Sequence, residues 1–368
     1  MPHSLADGGK FLVLGIPGPE IDSATRELIE AVRPSGFILF ARNLRSAEQL
    51  RALLDELRGL SSFPPFLTMD QEGGRVSRLR QIGNEPPSAR DLRERGDSSL
   101  ILRHGTLTGQ LFRLFGLNWN LAPVLDLAID EEADNSLRNR CYGRSPDEVS
   151  RFASPFLQGM QAEGILSCGK HFPGYTFAHV DPHETLPALD RTLHELEAME
   201  WKPFRELLPA CDSLMVGHVR CPNLDPSGAP SSLSPAVVEG ILRRKWGYSG
   251  LVVTDDLDMG AIANQYPLPD AAELALRAGN DLLLVCHRPS LAREAAERLA
   301  RLPDAVRAPA ERRIEILRQR LAPPHPFSFD RFVALDVQVA RLRADSLSPQ
   351  RASEPTREHA KHSPVETF

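Results

Sequence analysis

The segment Leu166-Ser167-Cys168-Gly169-Lys170-His171-Phe172-Pro173-Gly174 decides the fold, because a short apolar, strand-like run in it ends in charged side chains. The run itself covers residues 166–170. Seven similar runs, rich in apolar and β-branched residues, lie at 11–16, 37–40, 66–69, 117–124, 213–218, 251–254 and 281–286. Helical patterns occupy almost every gap between them. The sequence therefore predicts a regular alternation of strands and helices.

The helical patterns have recognisable starts and ends. Leucines recur at helical spacing after the second run, at Leu50, Leu53, Leu54 and Leu57. Pro146 opens a helix that runs towards Gly164, with Ser145 as its N-cap. Two further helices are expected, one from Ser234-Pro235 to Trp246-Gly247 and one over residues 271–278 that Gly279 closes.

Eight alternating strands and helices over roughly 320 residues predict a (β/α)8 TIM-type barrel, whose insertions enlarge it beyond about 250 residues. A doubly wound open sheet is the competing α/β fold, but no Gly-x-Gly-x-x-Gly follows a strand. We assign residues 1–322 to a single barrel domain. Residues 323–345, after a Pro-rich change of texture at Pro323-Pro324-His325-Pro326, are predicted to form a helical extension. Residues 346–368, rich in charge, Ser and Pro, are predicted to be disordered.

Composition bounds the function. The 368 residues are 42% hydrophobic and 25% charged with a formal net charge of -6, so there is no electrostatic case for binding nucleic acid or an anionic membrane. The five cysteines are scattered and lack metal-type spacing, which argues against a disulfide framework or a zinc site and favours a reducing compartment. Without a signal-like or membrane-length apolar segment, we expect a cytoplasmic protein.

Charged residues end most of the predicted strands. Asp70 and Glu72 follow the third run, Asp126 the fourth, Lys170-His171 the fifth, His218 the sixth and Asp255-Asp256 the seventh. Each alone could be a strand-end cap or a structural ion pair. Because the C-terminal ends of parallel barrel strands meet on one face, the whole set predicts an active site there.

Two features of this set suggest the chemistry. Asp181 and His183 are two residues apart in an irregular segment, so their side chains share one side, and a carboxylate beside an imidazole fixes its tautomer and supports proton transfer. The alternative is a solvated loop without function. Asp255, at the end of a buried strand, could act as a nucleophile or electrostatic stabiliser, although one of Asp255 and Asp256 could instead cap the next helix.

Cationic and imidazole side chains near these groups suit a hydroxyl-rich or anionic ligand: Lys170, His171, Arg78 and Arg140. A carboxylate nucleophile, a proton donor and many hydroxyl-binding donors together indicate cleavage of a glycosidic bond.

Four motifs resemble glycoside hydrolase family 3, and more narrowly its single-barrel bacterial β-N-acetylglucosaminidases of cell-wall recycling. They are Asp70-Gln71-Glu72-Gly73-Gly74-Arg75-Val76, Lys170-His171-Phe172-Pro173-Gly174, Asp181-x-His183 and Thr254-Asp255-Asp256-Leu257-x-Met259. The resemblance spans roughly residues 10 to 320. It implies that Asp255 attacks the anomeric carbon, while His183, paired with Asp181, is the acid/base. It also implies sugar binding by Asp70, Arg78, Arg140, Lys170 and His171, to which we add His218.

One segment departs from the family pattern. Where the family usually continues with His-Gly-Asp-Thr, this chain has Tyr175-Thr176-Phe177-Ala178 at the same length. Pro182 also replaces a usual serine and restricts Asp181 to extended backbone. The new aromatic side chains could stack on a second sugar or pack the loop down, and both outcomes stay open at this point.

The sequence thus predicts a retaining exo-β-N-acetylhexosaminidase that acts on terminal β-N-acetylglucosaminides, with peptidoglycan-derived fragments as substrate. No metal or organic cofactor, nucleic acid or membrane partner is expected, and the protein is expected to be a monomer. Two alternatives keep the barrel, a β-glycoside phosphorylase and a β-glucosidase. A third, from another class, is a catalytically silent sugar-binding protein.

Overall fold

The computed structural model describes residues 4–130 and 135–347, and its strands follow the predicted runs. The strands are β1 (Leu12–Gly15), β2 (Gly36–Leu39), β3 (Phe66–Met69), β4 (Gln71–Gly73), β5 (Val76–Ser77), β6 (Trp119–Asn120), β7 (Cys168–Phe172), β8 (Ser213–Val216), β9 (Leu251–Asp256) and β10 (Leu282–Val285). Each of the eight predicted runs overlaps one strand of the main sheet. The hairpin β4–β5 was not predicted.

The main sheet is a parallel barrel. Its strands follow the order β6-β3-β2-β1-β10-β9-β8-β7, and all registered pairs are parallel. The two ends of this order are joined, because the Asn120 N–H donates to the Leu166 carbonyl at 2.9 Å and the Cys168 N–H to the Ala122 carbonyl at 3.0 Å. The predicted (β/α)8 fold is therefore confirmed, and the doubly wound sheet is excluded.

Helices cover the outside of the barrel. They are α1 (Leu5–Gly9), α2 (Ser23–Val32), α3 (Ala47–Leu60), α4 (Ala89–Arg95), α5 (Ser98–Phe115), α6 (Pro146–Ala162), α7 (Leu193–Ala198), α8 (Trp201–Leu207), α9 (Gly260–Ala263), α10 (Leu268–Ala278), α11 (Ala292–Ala300), α12 (Asp304–Arg318) and α13 (Phe329–Ser346). Ser145 Oγ accepts from the Glu148 N–H at 3.3 Å and caps α6 as predicted. The segment after Ser234-Pro235 is helical too, but Ala236–Lys245 winds as a π-helix.

The core lies between the barrel and this helical layer. Strands β1, β2, β3 and β10 are buried along their whole length, as expected for parallel strands covered on both faces. The leucines of α3 that recur at helical spacing are all buried. This packing holds the strand ends in fixed positions.

The N-terminal end of the barrel carries a buried ion-pair network, distant from the charged strand ends. Asp281, directly before β10, is fully buried. Its Oδ2 accepts from Arg243 Nη2 at 2.7 Å, and its Oδ1 accepts from Arg313 Nε at 2.8 Å. Because both oxygens are paired, this carboxylate ties β10 to the helical layer.

The C-terminal part of the described chain packs on the barrel. Helix α13 lies against α5, where the Phe332 and Phe115 rings are 5.5 Å apart. Residues 323–345 thus contain a helix, while their assignment as a separate extension stays a prediction. The tail predicted to be disordered lies outside the described residues from residue 348 onward. None of the helices described here has the length and apolar character that crossing a membrane requires.

Candidate active site

A pocket of about 160 Å³ opens at the C-terminal ends of the barrel strands. Seven of the predicted site residues line it: Asp70, Arg78, Arg140, Lys170, His171, His183 and Asp255. Asp181 lies behind His183, in hydrogen-bonding contact with it. The strand ends therefore bring the predicted catalytic and sugar-binding groups to one place.

The hairpin β4–β5 positions the polar groups that follow β3. Gly73 has φ 114°, a backbone conformation that favours glycine, and it turns the chain back on itself. Gln71 crosses the hairpin, where its Nε2 donates to Ser77 Oγ at 2.7 Å and its Oε1 accepts from the Leu79 N–H at 3.2 Å. As a result Glu72 points inward from one strand, and Arg78 follows the other.

Glu72 is the centre of a buried charge cluster. Its carboxylate accepts a bidentate pair from Arg140, both bonds 2.8 Å long, and it also lies 2.7 Å from Lys170 Nζ. Lys170 donates at the same time to Asp70 Oδ1 at 2.7 Å. Burial alone would raise the pKa of Glu72, but Arg140 and Lys170 outweigh it and hold that pKa far below the usual range. The sequence placed Glu72 at a strand end without assigning it to the site.

His171 is held in one tautomer. Its Nε2 lies 3.2 Å from Arg140 Nη2, and because a guanidinium only donates, Nε2 is the acceptor. Nδ1 therefore carries the hydrogen, which it donates to Asp126 Oδ2 at 2.8 Å. Asp126, fully buried, also accepts from the backbone N–H groups of His171 and Tyr175. It is a supporting residue of the site that the sequence marked only as a strand-end carboxylate.

Asp255 is the last residue but one of β9 and lines the pocket. Its Oδ1 accepts from the Asp256 N–H at 2.9 Å. Burial would raise the pKa of the Asp255 carboxyl, but the nearby imidazoles of His218, His171 and His183 lower it below its usual value. The carboxylate is therefore ionised at neutral pH, as a nucleophile requires.

Asp181 and His183 form the predicted pair. His183 Nδ1 lies 2.6 Å from Asp181 Oδ1, which also accepts from the His183 backbone N–H at 2.9 Å. Burial would raise the pKa of Asp181, but its hydrogen bond with His183 lowers it, so the carboxylate stays charged beside the imidazole.

The loop that carries this pair is docked on the first turn of α9. The Gly260 N–H donates to the His183 carbonyl at 2.9 Å, and the Ala261 N–H donates to the Pro182 carbonyl at 3.1 Å. Gly260 is required there, because a Cβ on it would lie 2.3 Å from the Glu184 carbonyl oxygen. Since α9 follows β9 directly, the loop and the Asp255 strand are joined through one short helix.

The segment that departs from the family pattern is packed down. Tyr175 is buried beside His171, with ring centroids 5.0 Å apart. Thr176 Oγ1 accepts from the Leu127 N–H at 3.0 Å, and the Phe177 ring lies under the Arg191 guanidinium at 4.5 Å. Of the two outcomes left open above, the structure shows packing of the loop. Tyr175 also lines the pocket, a role that the sequence did not assign to it.

His218 is placed differently from the prediction. It is completely buried, and it is not among the residues that line the pocket. Both ring nitrogens are occupied, Nδ1 with Ser232 Oγ at 2.7 Å and Nε2 with the Asp256 carbonyl at 2.8 Å. His218 is therefore a support for the end of β9 and has no ring nitrogen to offer a sugar, which corrects its assignment to substrate binding.

The rim of the pocket includes groups that the sequence did not single out. Asp258 accepts from the backbone N–H groups of His287 and Arg288 and from Arg288 Nε at 2.7 Å. Burial and the positive charge of Arg42 lower the pKa of His287 to about 4.

Within the described ranges, no group of three or more His, Cys, Asp or Glu side chains is arranged to hold a metal ion.

Comparison with known proteins identifies the family. The model of the glycosyl hydrolase family 3 N terminal domain matches residues 8–322. A β-hexosaminidase of Idiomarina loihiensis is 34% identical over 284 residues, which cover 75% of this chain and 83% of the relative. The chain therefore belongs to glycosyl hydrolase family 3, as its motifs predicted.

Solved structures agree with this assignment. A glycoside hydrolase family 3 β-N-acetylglucosaminidase from Paenibacillus sp. str. FPU-7 superposes with a TM-score of 0.83 at 30% identity, covering 92% of this chain and 68% of that one. Native NagZ from Neisseria gonorrhoeae superposes with a TM-score of 0.79 at 28% identity, covering 93% of this chain and 98% of its own. The prediction of a NagZ-like chain is confirmed.

The protein is thus a glycoside hydrolase, and the names of its relatives support β-N-acetylhexosaminidase activity. Its substrate is a carbohydrate. The alternative of a catalytically silent sugar-binding protein is not supported.

Proposed function

We propose that the protein is a retaining exo-β-N-acetylhexosaminidase that removes terminal β-N-acetylglucosamine through a covalent intermediate on Asp255. The observation that carries this proposal is the meeting of Asp255, His183 and the Glu72 charge cluster in one pocket at the C-terminal end of the barrel. Such a pocket takes the end of a sugar chain, while the remainder extends past the rim.

The charges of the site suit the first step. Asp255, ionised at neutral pH, forms a bond to the anomeric carbon as the glycosidic bond breaks. His183 Nδ1 is hydrogen-bonded to Asp181, so Nε2 is the nitrogen that gives its proton to the leaving oxygen. Asp181 stabilises the positive charge of the imidazolium before that transfer.

In the second step water replaces Asp255 at the anomeric carbon. His183, now neutral, takes a proton from that water, and the bonding electron pair returns to Asp255 as a carboxylate. Two displacements at one carbon restore its original configuration, so the product is the β-anomer.

The Glu72 charge cluster supports the proposal that the sugar is held rigidly. Glu72 fixes Arg140 and Lys170 in a geometry set by charge-assisted hydrogen bonds. Arg78, within 3.6 Å of Asp70, completes this wall of the pocket. We assign sugar binding to Asp70, Arg78, Arg140, Lys170 and His171, with Glu72 as their common support.

We further propose that the substrates are peptidoglycan-derived fragments and that the enzyme acts as a monomer in the cytoplasm. The relatives named β-hexosaminidase and NagZ support hexosaminidase activity, and the motif resemblance to β-N-acetylglucosaminidases of cell-wall recycling is the reason for the first point. All five cysteines are unpaired and buried, which suits a reducing compartment. Hydrolysis of purified muropeptides, compared with chitobiose, tests the substrate class.

The mechanism is tested with a 5-fluoro-N-acetylglucosaminide analogue, which keeps the acetamido group at C2, and mass spectrometry of the intact protein. Wild type should gain the mass of one sugar, and peptide mapping should place it on Asp255. Asp255→Ala should lose at least ~10³-fold in turnover of an aryl N-acetylglucosaminide. Asp258→Asn is the matched control, because this carboxylate lies in the same pocket but is already paired with Arg288.

His183→Ala should slow substrates with poor leaving groups by roughly 10²–10⁴-fold and activated aryl substrates much less. Near-normal turnover by Asp255→Ala, or an adduct on another residue, would contradict the proposal. Sugar 1-phosphate formed on adding phosphate would indicate the phosphorylase alternative. A preference for aryl glucosides would indicate the β-glucosidase.

A further inference from the structure

The Tyr175 hydroxyl lies between the backbone of one barrel strand end and the carboxylate of another. Tyr175 is 1% exposed, so this hydroxyl is shielded from bulk water. Its oxygen is 2.6 Å from the His218 backbone nitrogen and 3.4 Å from Asp255 Oδ2. A buried hydroxyl that accepts a hydrogen bond from one group and donates one to another couples the positions of the two groups.

The direction of both hydrogen bonds follows from the chemistry of the partners. A backbone N–H only donates, so the Tyr175 oxygen is the acceptor towards His218. The hydroxyl hydrogen is then directed to the other side, where Asp255 Oδ2 accepts it. The phenol must stay protonated for this role. Burial and the negative charge of Asp255 both raise the pKa of Tyr175 well above its ordinary value.

The space for the hydroxyl is provided by Gly217. A Cβ built on this glycine would lie 2.4 Å from the Tyr175 oxygen, closer than any tolerable contact. On the other side, the Tyr175 backbone N–H donates to Asp126 at 2.7 Å, and its ring packs against His171. The position of the hydroxyl is thus fixed by the Tyr175 backbone hydrogen bond, by the contact of its ring with His171 and by the space that Gly217 leaves.

We propose that Tyr175 is a positioning residue for the nucleophile, holding Asp255 Oδ2 while the Asp256 N–H holds Oδ1. This inference rests on the proposed role of Asp255. With a donor on each oxygen, the carboxylate plane is fixed towards the anomeric carbon before substrate binds.

The hydroxyl should matter most in the second step. In the glycosyl-enzyme, Asp255 is a neutral ester. When water replaces it, the bond between Asp255 and the anomeric carbon breaks, and its electron pair returns to the carboxylate. A donor stabilises this returning charge, so Tyr175 favours release of the sugar from Asp255.

The pH dependence of activity gives a readout that a purely structural role would not change. The charged or titratable groups that interact with Asp255 are His218, His171, His183, Asp256 and Cys168, together with Tyr175 itself. A hydrogen bond to the ionised form lowers the pKa of a carboxyl, so removing the hydroxyl raises the pKa of Asp255. The acid limb of kcat/KM should then move to higher pH.

The principal variant is Tyr175→Phe, which keeps the ring against His171 and removes only the hydroxyl. We expect sugar release from Asp255 to fall about 10-fold and the covalent adduct to accumulate on an activated aryl N-acetylglucosaminide. The apparent pKa of the acid limb of the kcat/KM profile should rise by about half a pH unit. Intact-mass measurement during turnover gives the adduct, and a pH series of kcat/KM gives the limb.

A second variant, Gly217→Ala, keeps the phenol but displaces it from Asp255 through the added Cβ. It should reproduce the rise of the acid limb. The matched control is Phe177→Leu, in the same loop, whose ring contacts Arg191 instead of Asp255. This control should leave the acid limb and the adduct level unchanged. Thermal unfolding of all three variants separates loss of stability from loss of positioning.

Higher adduct levels and a raised acid limb in both Tyr175→Phe and Gly217→Ala support the inference. An unchanged acid limb with unchanged sugar release in a folded Tyr175→Phe overturns it and leaves the proposed function standing. If wild type itself forms no adduct on Asp255 with the fluoro-sugar, the proposed function is overturned first, and this inference with it.

Discussion

Glu72→Gln is the most informative test of how the site is held together. The substitution keeps the shape of the side chain and removes one negative charge from a place where Arg140 and Lys170 are both fully buried. Before the change, Asp70 and Glu72 face three cations, Arg78 being the third. Afterwards one carboxylate faces the same three cations, so the local charge rises from +1 to +2.

The expected loss of stability depends on which hydrogen-bond acceptors Arg140 and Lys170 keep after the substitution. Arg140 keeps the Ser136 carbonyl at 3.1 Å, and Lys170 keeps Asp70 at 2.7 Å, so neither cation is left without an acceptor. Breaking a buried ion pair costs roughly 3–5 kcal/mol. Because of these remaining acceptors, we expect the lower end, a loss of about 3 kcal/mol in the free energy of unfolding at pH 7.

The effect should depend on pH in a defined direction. The pKa of Glu72 is lower in the folded chain than its ordinary value of 4.5, so its stabilising contribution is fully present above pH 4.5. It declines as the pH falls from there towards the folded pKa. The difference between wild type and Glu72→Gln should therefore be constant above about pH 5 and narrow in more acidic solution.

Urea unfolding, followed by tryptophan fluorescence, measures these free energies. Glu200→Gln is the matched control. Glu200 is also buried, 1% exposed, but its ion pair is a single contact with the partly exposed Arg191, whose Nε lies 3.3 Å from Glu200 Oε1, so less depends on its charge than on that of Glu72. This variant should change stability by less than about 1 kcal/mol. A loss below about 1 kcal/mol for Glu72→Gln, or equal losses for the two variants, would refute the reasoning.

Three further changes separate catalysis from stability. Asp181→Asn removes the charge beside His183, so substrates with poor leaving groups should be hydrolysed about 10²-fold more slowly, with little change in melting temperature. Steady-state kinetics measures this, and rates equal to those of wild type would contradict the pairing of Asp181 with His183. Asp281→Asn should lower the free energy of unfolding by about 3 kcal/mol while KM stays unchanged, because its ion pairs lie at the opposite end of the barrel. Ser145→Ala should cost about 1 kcal/mol through loss of the α6 cap, measured by urea unfolding, and an unchanged midpoint would show that the cap contributes nothing.

The barrel strands were predictable because each is a short apolar run that ends in charge. The clearest discrepancy is in the fourth run, predicted over residues 117–124, where only β6 (Trp119–Asn120) forms a regular strand. Pro123 interrupts the ladder since it has no N–H to donate, and Val124 pairs with Lys170 only as an isolated bridge.

The hairpin β4–β5 could not be read from the pattern of apolar residues. It has strands of three and two residues, too short for an alternating signal. Its clue is Gly73-Gly74, since both glycines adopt positive φ. The supporting role of Glu72 was missed for the same reason, because only the turn brings its carboxylate back towards Arg140.

His218 shows the other limit of sequence reasoning. Its place at a strand end is correct, yet whether its ring faces the pocket or the wall depends on Ser232 and the Asp256 carbonyl, which are distant along the chain. Tyr175 is the converse case. The sequence marked it as a departure from the family, but the space that receives its hydroxyl depends on Gly217, which no local pattern connects to it.

The docking of the Asp181–His183 loop on α9 has a consequence for engineering the enzyme. Two backbone hydrogen bonds fasten this loop to the turn that follows β9, and Gly260 admits the loop backbone at that contact. The acid/base loop is therefore not an exchangeable module. A loop from another family member, introduced to change the group accepted beyond the scissile bond, would have to be transplanted together with residues 259–261.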